Sequence, residues 1–419
     1  MLRTSDSFSY RNDALYCEDV PLADIAAQAG TPCYVYSSRA VLNQFGAYDG
    51  ALSGLPHLVS YAVKANSNLG LLALLAKAGA GFDVVSGGEL FRVVKAGGDP
   101  ARVVYSGVGK TAAEIEYALR VGVQSLNCES EGEIALIGAL AARSGVRARI
   151  ALRVNPDVDA GTHPYISTGL KKHKFGIDVA EAEEIYRRAQ ESPHLLPDGV
   201  SCHIGSQLLD IDPLLEALDR LLELVGRLRQ AGVPIRRLDL GGGLGVRYKP
   251  EDEAPAIADF AARVLRRIEG KDLFLVLEPG RSIVAEAGVL LTQVLYRKPT
   301  ASREFVIVDA AMTDLLRPSL YRSHHEILPL RKNPRGTIVA DVVGPVCESG
   351  DFLALDREMP SALPGDVLAI WTAGAYGFVM SSNYNSRVRP AEVLVEGRTW
   401  RTARARETYD DLIRGESIE

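Results

Sequence analysis

From about residue 34 to 285 the chain alternates short apolar runs with stretches whose apolar residues recur at helical spacing. Eight of the runs are rich in Val, Ile and Leu and end in Gly, Ser, Asn or a charge, the pattern of buried strands. They are LVSYAVKA (58–65), GFDVVS (81–86), VVYSG (103–107), SLNCES (125–130), RIALRVNP (149–156), GVSCHIGSQ (199–207), LDLGGG (238–243) and LFLVLEPG (273–280). Between them lie patterns such as LGLLALLAKAG, AAEIEYALRVG and LLEALDRLLELVGRL, with helical periodicity. Thr111 with Glu114, and Ser130 with Glu133, have capping-box spacing, and Asp212 precedes Pro213, which stands at a first helical position. Eight strand–helix units over about 250 residues predict a (β/α)8 barrel, a TIM-like α/β fold.

After residue 286 the pattern changes. GVLLTQVLYRK, FVIVDAA, TIVADVVGPVC and DVLAIWTAGAY are β-rich runs separated by Pro/Gly turns, and predict a mainly antiparallel β domain. The first 33 residues, with the run ALYCEDV, fit neither a barrel strand nor a secretion signal, and are assigned to that β domain as a strand contributed across the sequence gap. The expected organisation is therefore a barrel over 34–285 and a β domain built from 1–33 and 286–419.

Charge narrows the partners. With 47 Lys+Arg against 53 Asp+Glu the net charge is −6, without the basic excess that nucleic acid or an anionic membrane requires. A composition of 47% hydrophobic and 24% charged residues is that of a globular protein. The polar segment 1–10 lacks the apolar core of a signal peptide, and no run of 18 apolar residues predicts a membrane span. Five scattered cysteines (17, 33, 128, 202, 347) without a C-x-x-C pair argue against a disulfide framework and a zinc site. The expectation is a cytoplasmic protein with no metal.

Barrel enzymes build their sites at the C-terminal ends of the strands. Those ends carry Lys64, Asp83 and Ser86, Glu129, Arg153 and Asn155, His203 and Ser206, Gly241 to Gly243, then Glu278 and Arg281. Lys64 closes the apolar run YAVKAN; it is either a snorkelling surface lysine or a Schiff-base lysine activated by partial burial. GGGLG (241–245) is either a tight turn or a cradle of backbone N–H groups for a phosphate, in the position barrels often use for one. Glu278, in EPGR, either pairs with Arg281 or faces a ring nitrogen. His203 is a core histidine or stacks on a flat ring, and Ser206 offers a hydroxyl. An imine-forming lysine beside a phosphate cradle suggests pyridoxal phosphate.

YAVKAN, HIGSQ, GGGLG and EPGR, followed in order by RPSLY (317–321), CESGD (347–351) and GAYG (374–377), resemble the motifs of the fold-type III, alanine-racemase-like pyridoxal phosphate enzymes, and within them the amino-acid decarboxylases. The resemblance covers almost the whole chain. It implies that Lys64 holds the cofactor, that His203 stacks on its ring and that Glu278 pairs with the ring nitrogen, with Asp83 among the cofactor-side groups. Gly241, Gly242, Gly243, Ser206, Tyr376 and the turn Glu278, Pro279, Gly280, Arg281 are implied on the phosphate side. Arg281, Arg317, Tyr321 and Tyr376 are implied at the substrate, where the arginines and Tyr321 take a distal carboxylate and Glu348 a distal ammonium. Cys347 is implied as proton donor, reaching the partner's site in a homodimer with shared active sites.

The substrate so implied is a diamino diacid, meso-2,6-diaminopimelate, decarboxylated to L-lysine in the last step of lysine biosynthesis. Arginine's planar fork suits a carboxylate, whereas an ornithine or arginine decarboxylase has no distal carboxylate to hold. The nearest rival is a related decarboxylase acting on a carrier-bound glutamyl group or a polyamine precursor. A racemase, a non-catalytic pyridoxal-phosphate-binding homologue and a cofactor-free Schiff-base aldolase are the others. His324 and His325 read as loop residues beside the pocket, and Cys17, Cys33, Cys128 and Cys202 as small buried hydrophobes.

Overall fold

A computed structural model describes residues 7–158 and 175–418; Met1–Asp6, part of the segment read above as lacking a signal, lie outside the described residues. The chain divides into two compact units. Residues 44–246 and 253–282 form one; residues 1–43, 247–252 and 283–419 form the other.

The first unit is the expected barrel. Its strands are β1 (His57–Ala62), β2 (Gly81–Val84), β3 (Val103–Tyr105), β4 (Ser125–Cys128), β5 (Ala148–Asn155), β6 (Leu195–Ser201), β7 (Arg237–Asp239) and β8 (Phe274–Leu277). Each pairs in parallel with the next, and β8 pairs with β1 to close the cylinder. Closure leaves no unpaired edge, and the strand interiors carry fully buried Leu, Val and Ile. Helices follow the strands, and their starts obey local chemistry. Thr111 makes a reciprocal capping box with Glu114. Ser130 accepts from the Glu133 backbone N–H, but the Glu133 carboxylate is diverted to Lys110 and the Glu129 N–H, so this box is incomplete. Helix Asp212–Gln230 begins one residue earlier than its proline suggested, with Ile211 in the capping position.

The apolar runs outlast the strands. Residues 203–207, 240–243 and 278–280 leave strand geometry, and their backbones bond to one another instead: Glu278 N–H to Gly241 O at 2.7 Å, Leu208 N–H to Gly243 O at 2.9 Å and Ala62 N–H to Pro279 O at 3.1 Å. Lys64 stands on a 3-10 turn, Val63–Ala65, rather than on the strand itself.

The second unit is the expected, mainly antiparallel β domain. Its large sheet runs in the order 352–360, 337–343, 304–308, 288–299, 33–37, 391–396, 399–404, and strand Val367–Ile370 pairs with both 288–299 and 327–329. Two pairings are parallel, 304–308 with 337–343 and 33–37 with 391–396. The strand contributed across the sequence gap is Cys33–Ser37; the ALYCEDV run forms part of a small antiparallel sheet with Phe8–Arg11 and Val20–Pro21. Phe8, Leu15, Ile25, Val35, Val289, Leu291, Val393 and Val395 share one buried cluster, which anchors the N-terminal segment. No helix among the described residues is long and apolar enough to cross a membrane.

Candidate functional site

In the barrel the polar residues at the strand ends form two connected groups. Lys64 Nζ donates to Asp83 Oδ2 at 2.7 Å, and the Asp83 side chain is fully buried at the end of β2. The ammonium is thus held on a buried carboxylate, while the lysine side chain itself remains 36% exposed. Beside this pair, Glu89 in the first turn of helix Gly87–Lys95 accepts from the Val85 N–H at 2.8 Å, and burial pushes its carboxyl up to about 7.

The second group surrounds Glu278. This carboxyl is buried, held well above its ordinary range first by desolvation and then by the neighbouring Asp239 and Asp83 charges. It shares a hydrogen bond with Asp239, which is itself raised by burial. Asp239 is the better-solvated partner internally: Oδ1 accepts from the Gly241 N–H at 2.9 Å and Oδ2 from Asn127 Nδ2 at 3.0 Å. Ser106 Oγ donates to Glu278 Oε1 at 3.4 Å. Burial and mutual repulsion thus hold Glu278 toward its protonated form, while the donors on Asp239 favour that group's charged form.

The glycine triplet is needed sterically. Gly241 has φ +65°, and a Cβ there would lie 2.6 Å from Cys202 O; one on Gly242 would lie 2.3 Å from Glu278 O. Gly243, at φ +114°, would place a Cβ 2.7 Å from Gly205 O. Close backbone approach thus locks the 241–243 turn between the HIGSQ and EPGR turns, so the tight-turn reading is part of the answer. The Gly242 N–H donates to His203 Nδ1 at 3.3 Å. Burial, reinforced by Arg153 and Lys64, keeps the His203 imidazole well below its usual pKa and hence neutral. Arg281 is buried and donates to Ser206 Oγ through Nε (3.3 Å) and Nη2 (3.0 Å). Lys64, Asp83, His203, Ser206, Gly241–Gly243 and Glu278–Arg281 all belong to this one end of the barrel.

The β domain gathers the other motifs. Arg317 opens the short helix Arg317–Tyr321, whose Ser319 Oγ donates to Gly350 O at 2.6 Å, tying RPSLY to CESGD. Asp351 sets the shape of that second loop: Oδ1 accepts from the Met312 N–H at 2.6 Å and Oδ2 from the Val346 N–H at 2.8 Å. Cys347 and Glu348 project from it, exposed; the Cys347 N–H donates to Asn385 Oδ1 at 2.9 Å. The other four cysteines are buried, as their sequence setting suggested. Tyr376 holds φ +54°, unusual for a bulky residue and a mark of a constrained loop. The flanking glycines are close-packed: a Cβ on Gly374 would overlap Val284 O.

Sequence reasoning missed Asp239, Asn127 and Ser106 beneath Glu278, although LDLGGG displays the aspartate directly before the glycines. It also undervalued His325, which is a loop residue but fully buried, with Nε2 2.9 Å from Arg317 Nη1. His324 is held apart from it, its Nδ1 accepting from Arg357 at 3.0 Å.

A closed barrel with a lysine, a glycine-lined turn and a buried acid at its strand ends is the architecture of pyridoxal-dependent decarboxylases, and residues 38–285 match the family model described as "Pyridoxal-dependent decarboxylase, pyridoxal binding domain". The chain is 57% identical over 413 residues to the diaminopimelate decarboxylase of Pseudomonas aeruginosa, covering 99% of each. Its fold superposes on the Helicobacter pylori diaminopimelate decarboxylase complexed with L-lysine (TM-score 0.90, 46% identity, 94% and 98% of the two chains). It also superposes on the M. jannaschii enzyme in co-complex with L-lysine (TM-score 0.95, 38% identity, 100% and 99%). The chain belongs to the diaminopimelate decarboxylase family.

Proposed function

We propose that this chain is a pyridoxal-5′-phosphate-dependent carboxy-lyase that converts meso-2,6-diaminopimelate to L-lysine and CO2. One observation carries the reading: Lys64 on Asp83 and the buried Glu278 converge on the same barrel end as the close-packed glycine turn. The residues fit the cofactor. Asp83 Oδ1 is buried without a hydrogen-bond partner while Oδ2 holds Lys64, an arrangement suited to a further cationic or N–H group.

When bound, pyridoxal phosphate supplies an electron-poor ring that accepts the electron pair left on Cα as CO2 departs. Lys64 would anchor it through Nζ, Asp83 orienting the amine. Glu278 would face the ring nitrogen, and by giving its proton to that nitrogen would stand beside it as a carboxylate that keeps it cationic. Neutral His203 would lie against the ring without adding charge. Ser206, Gly241–Gly243, the Pro279–Arg281 turn and Tyr376 would receive the phosphate. In the β domain Arg317 and Tyr321, with Arg281, would hold the substrate's distal carboxylate and Glu348 its distal ammonium. Cys347 Sγ would return a proton to Cα. The support for this second set is the Ser319–Gly350 tie that puts RPSLY alongside CESGD. We place the enzyme in the cytoplasm as a homodimer whose sites are shared, each Cys347 serving the partner's barrel.

The test is spectroscopic. The purified protein should show an absorption band near the visible edge that shifts on adding diaminopimelate, with release of CO2, and no turnover of ornithine or arginine. Lys64→Ala should lower turnover by on the order of a thousandfold or more, the scale of losing a covalent catalytic group. If borohydride still fixes the cofactor covalently to the Lys64→Ala chain, the lysine assignment is wrong.

A further inference from the structure

Arg317 is buried in the β domain, and its guanidinium is held on two sides. Its Nη1 lies 2.9 Å from His325 Nε2, and its Cζ stands 4.3 Å from the centre of the Tyr248 ring. The two holders also touch, Tyr248 meeting His325 edge-to-face at 5.3 Å and 78°. All three side chains are buried.

The hydrogen bonds fix the state of the imidazole. His325 Nδ1 is 2.8 Å from Trp371 O, which can only accept, so Nδ1 carries the hydrogen. Arginine can only donate, so Nε2 presents its lone pair. His325 is therefore neutral, and it and the tyrosine face orient the guanidinium without adding a negative charge of their own.

We infer that His325 and Tyr248 are positioning residues for Arg317, fixing its planar fork for a ligand carboxylate. The inference rests on the reading that Arg317 holds the distal carboxylate. Tyr248 belongs to the segment 247–252, which directly follows the GGGLG turn in the chain and groups with the β domain.

The holoenzyme carries the test, with two readouts: KM and kcat for diaminopimelate, and calorimetric affinity for L-lysine, the product that keeps the distal amino-acid end. His325→Leu should raise KM roughly tenfold or more, the scale of losing one hydrogen bond to a charged group, with kcat changed much less. L-lysine affinity should fall by a similar factor. His325→Gln, which keeps an acceptor near Nε2, should recover most of the loss. Tyr248→Leu should raise KM, whereas Tyr248→Phe, which keeps the ring face, should stay within about twofold of wild type. In an Arg317→Ala background His325→Leu should have no further effect on KM.

An unchanged KM in folded His325→Leu overturns the inference, as does an equal rise with Arg317 already removed. Should His325→Leu fail to fold, the Tyr248 pair decides, and an unchanged KM in Tyr248→Leu overturns it. Arg317→Ala with wild-type KM and wild-type L-lysine affinity would instead sink the underlying reading of Arg317.

Discussion

Glu89 shows how one half-buried carboxyl leaves a measurable trace. Its ordinary value of 4.5 is raised to about 7, chiefly because burial disfavours the charged form. Below pH 4.5 the group is neutral whether the chain is folded or not, so it costs nothing. Between 4.5 and 7 the unfolded chain gives up the proton that the folded chain keeps, and stability falls as pH rises; above 7 the loss is constant. Glu89→Gln keeps an acceptor for the Val85 N–H but cannot ionise. Its melting temperature relative to wild type should therefore rise from pH 4.5 to 7 and then level off, as followed by thermal unfolding across that range. A difference independent of pH would assign Glu89 another role. Such residues were not legible in the sequence, because their chemistry comes from partners far along the chain. Asp239 gains its meaning from Glu278 and Asn127, and His325 from Arg317 and Trp371.

Among elements, the eight barrel strands were legible because each is a short, nearly continuous apolar run, and parallel strands inside a barrel are covered on both faces. Their ends were not. LDLGGG and LFLVLEPG read as single runs, yet β7 stops at Asp239 and β8 at Leu277, and the remaining residues form turns that bond to each other. Periodicity cannot distinguish an apolar strand from the glycine-rich turn that prolongs it. The cross-gap strand was expected within residues 1–33, near ALYCEDV, whereas it is Cys33–Ser37: the boundary drawn at residue 34 left most of CYVYS with the barrel, and only its partners in the β sheet, 288–299 and 391–396, show where it belongs. The turns have a steric consequence. A methyl group on Gly242 would fall 2.3 Å from Glu278 O, a backbone atom that cannot swing aside. Gly242→Ala should destabilise the protein by about 1–3 kcal/mol in denaturant unfolding, the usual cost of overpacking. It should also weaken pyridoxal phosphate binding, titrated by absorbance, because the EPGR turn must shift. Wild-type stability and affinity together would show that the turn adapts.

At the scale of the whole molecule, the residues proposed for the chemistry are divided between two parts of the chain. Lys64, His203 and Glu278 belong to the barrel, while Cys347 and Glu348 lie on an exposed loop of the β domain, some 70 residues beyond the last barrel strand. The loop's shape is set by the two backbone bonds that Asp351 accepts. The proposed shared-site homodimer predicts complementation. Lys64→Ala and Cys347→Ala chains, each nearly inactive alone, should regain activity when mixed and allowed to exchange subunits. In a mixed dimer one site would combine the intact lysine of one chain with the intact cysteine of the other, and the second site would lack both. Random pairing makes about half the dimers mixed, so activity should approach roughly a quarter of wild type if the sites act independently. Native mass spectrometry would establish the exchange. Exchange without recovered activity would mean that each chain supplies its own cysteine, and the shared-site arrangement would fail.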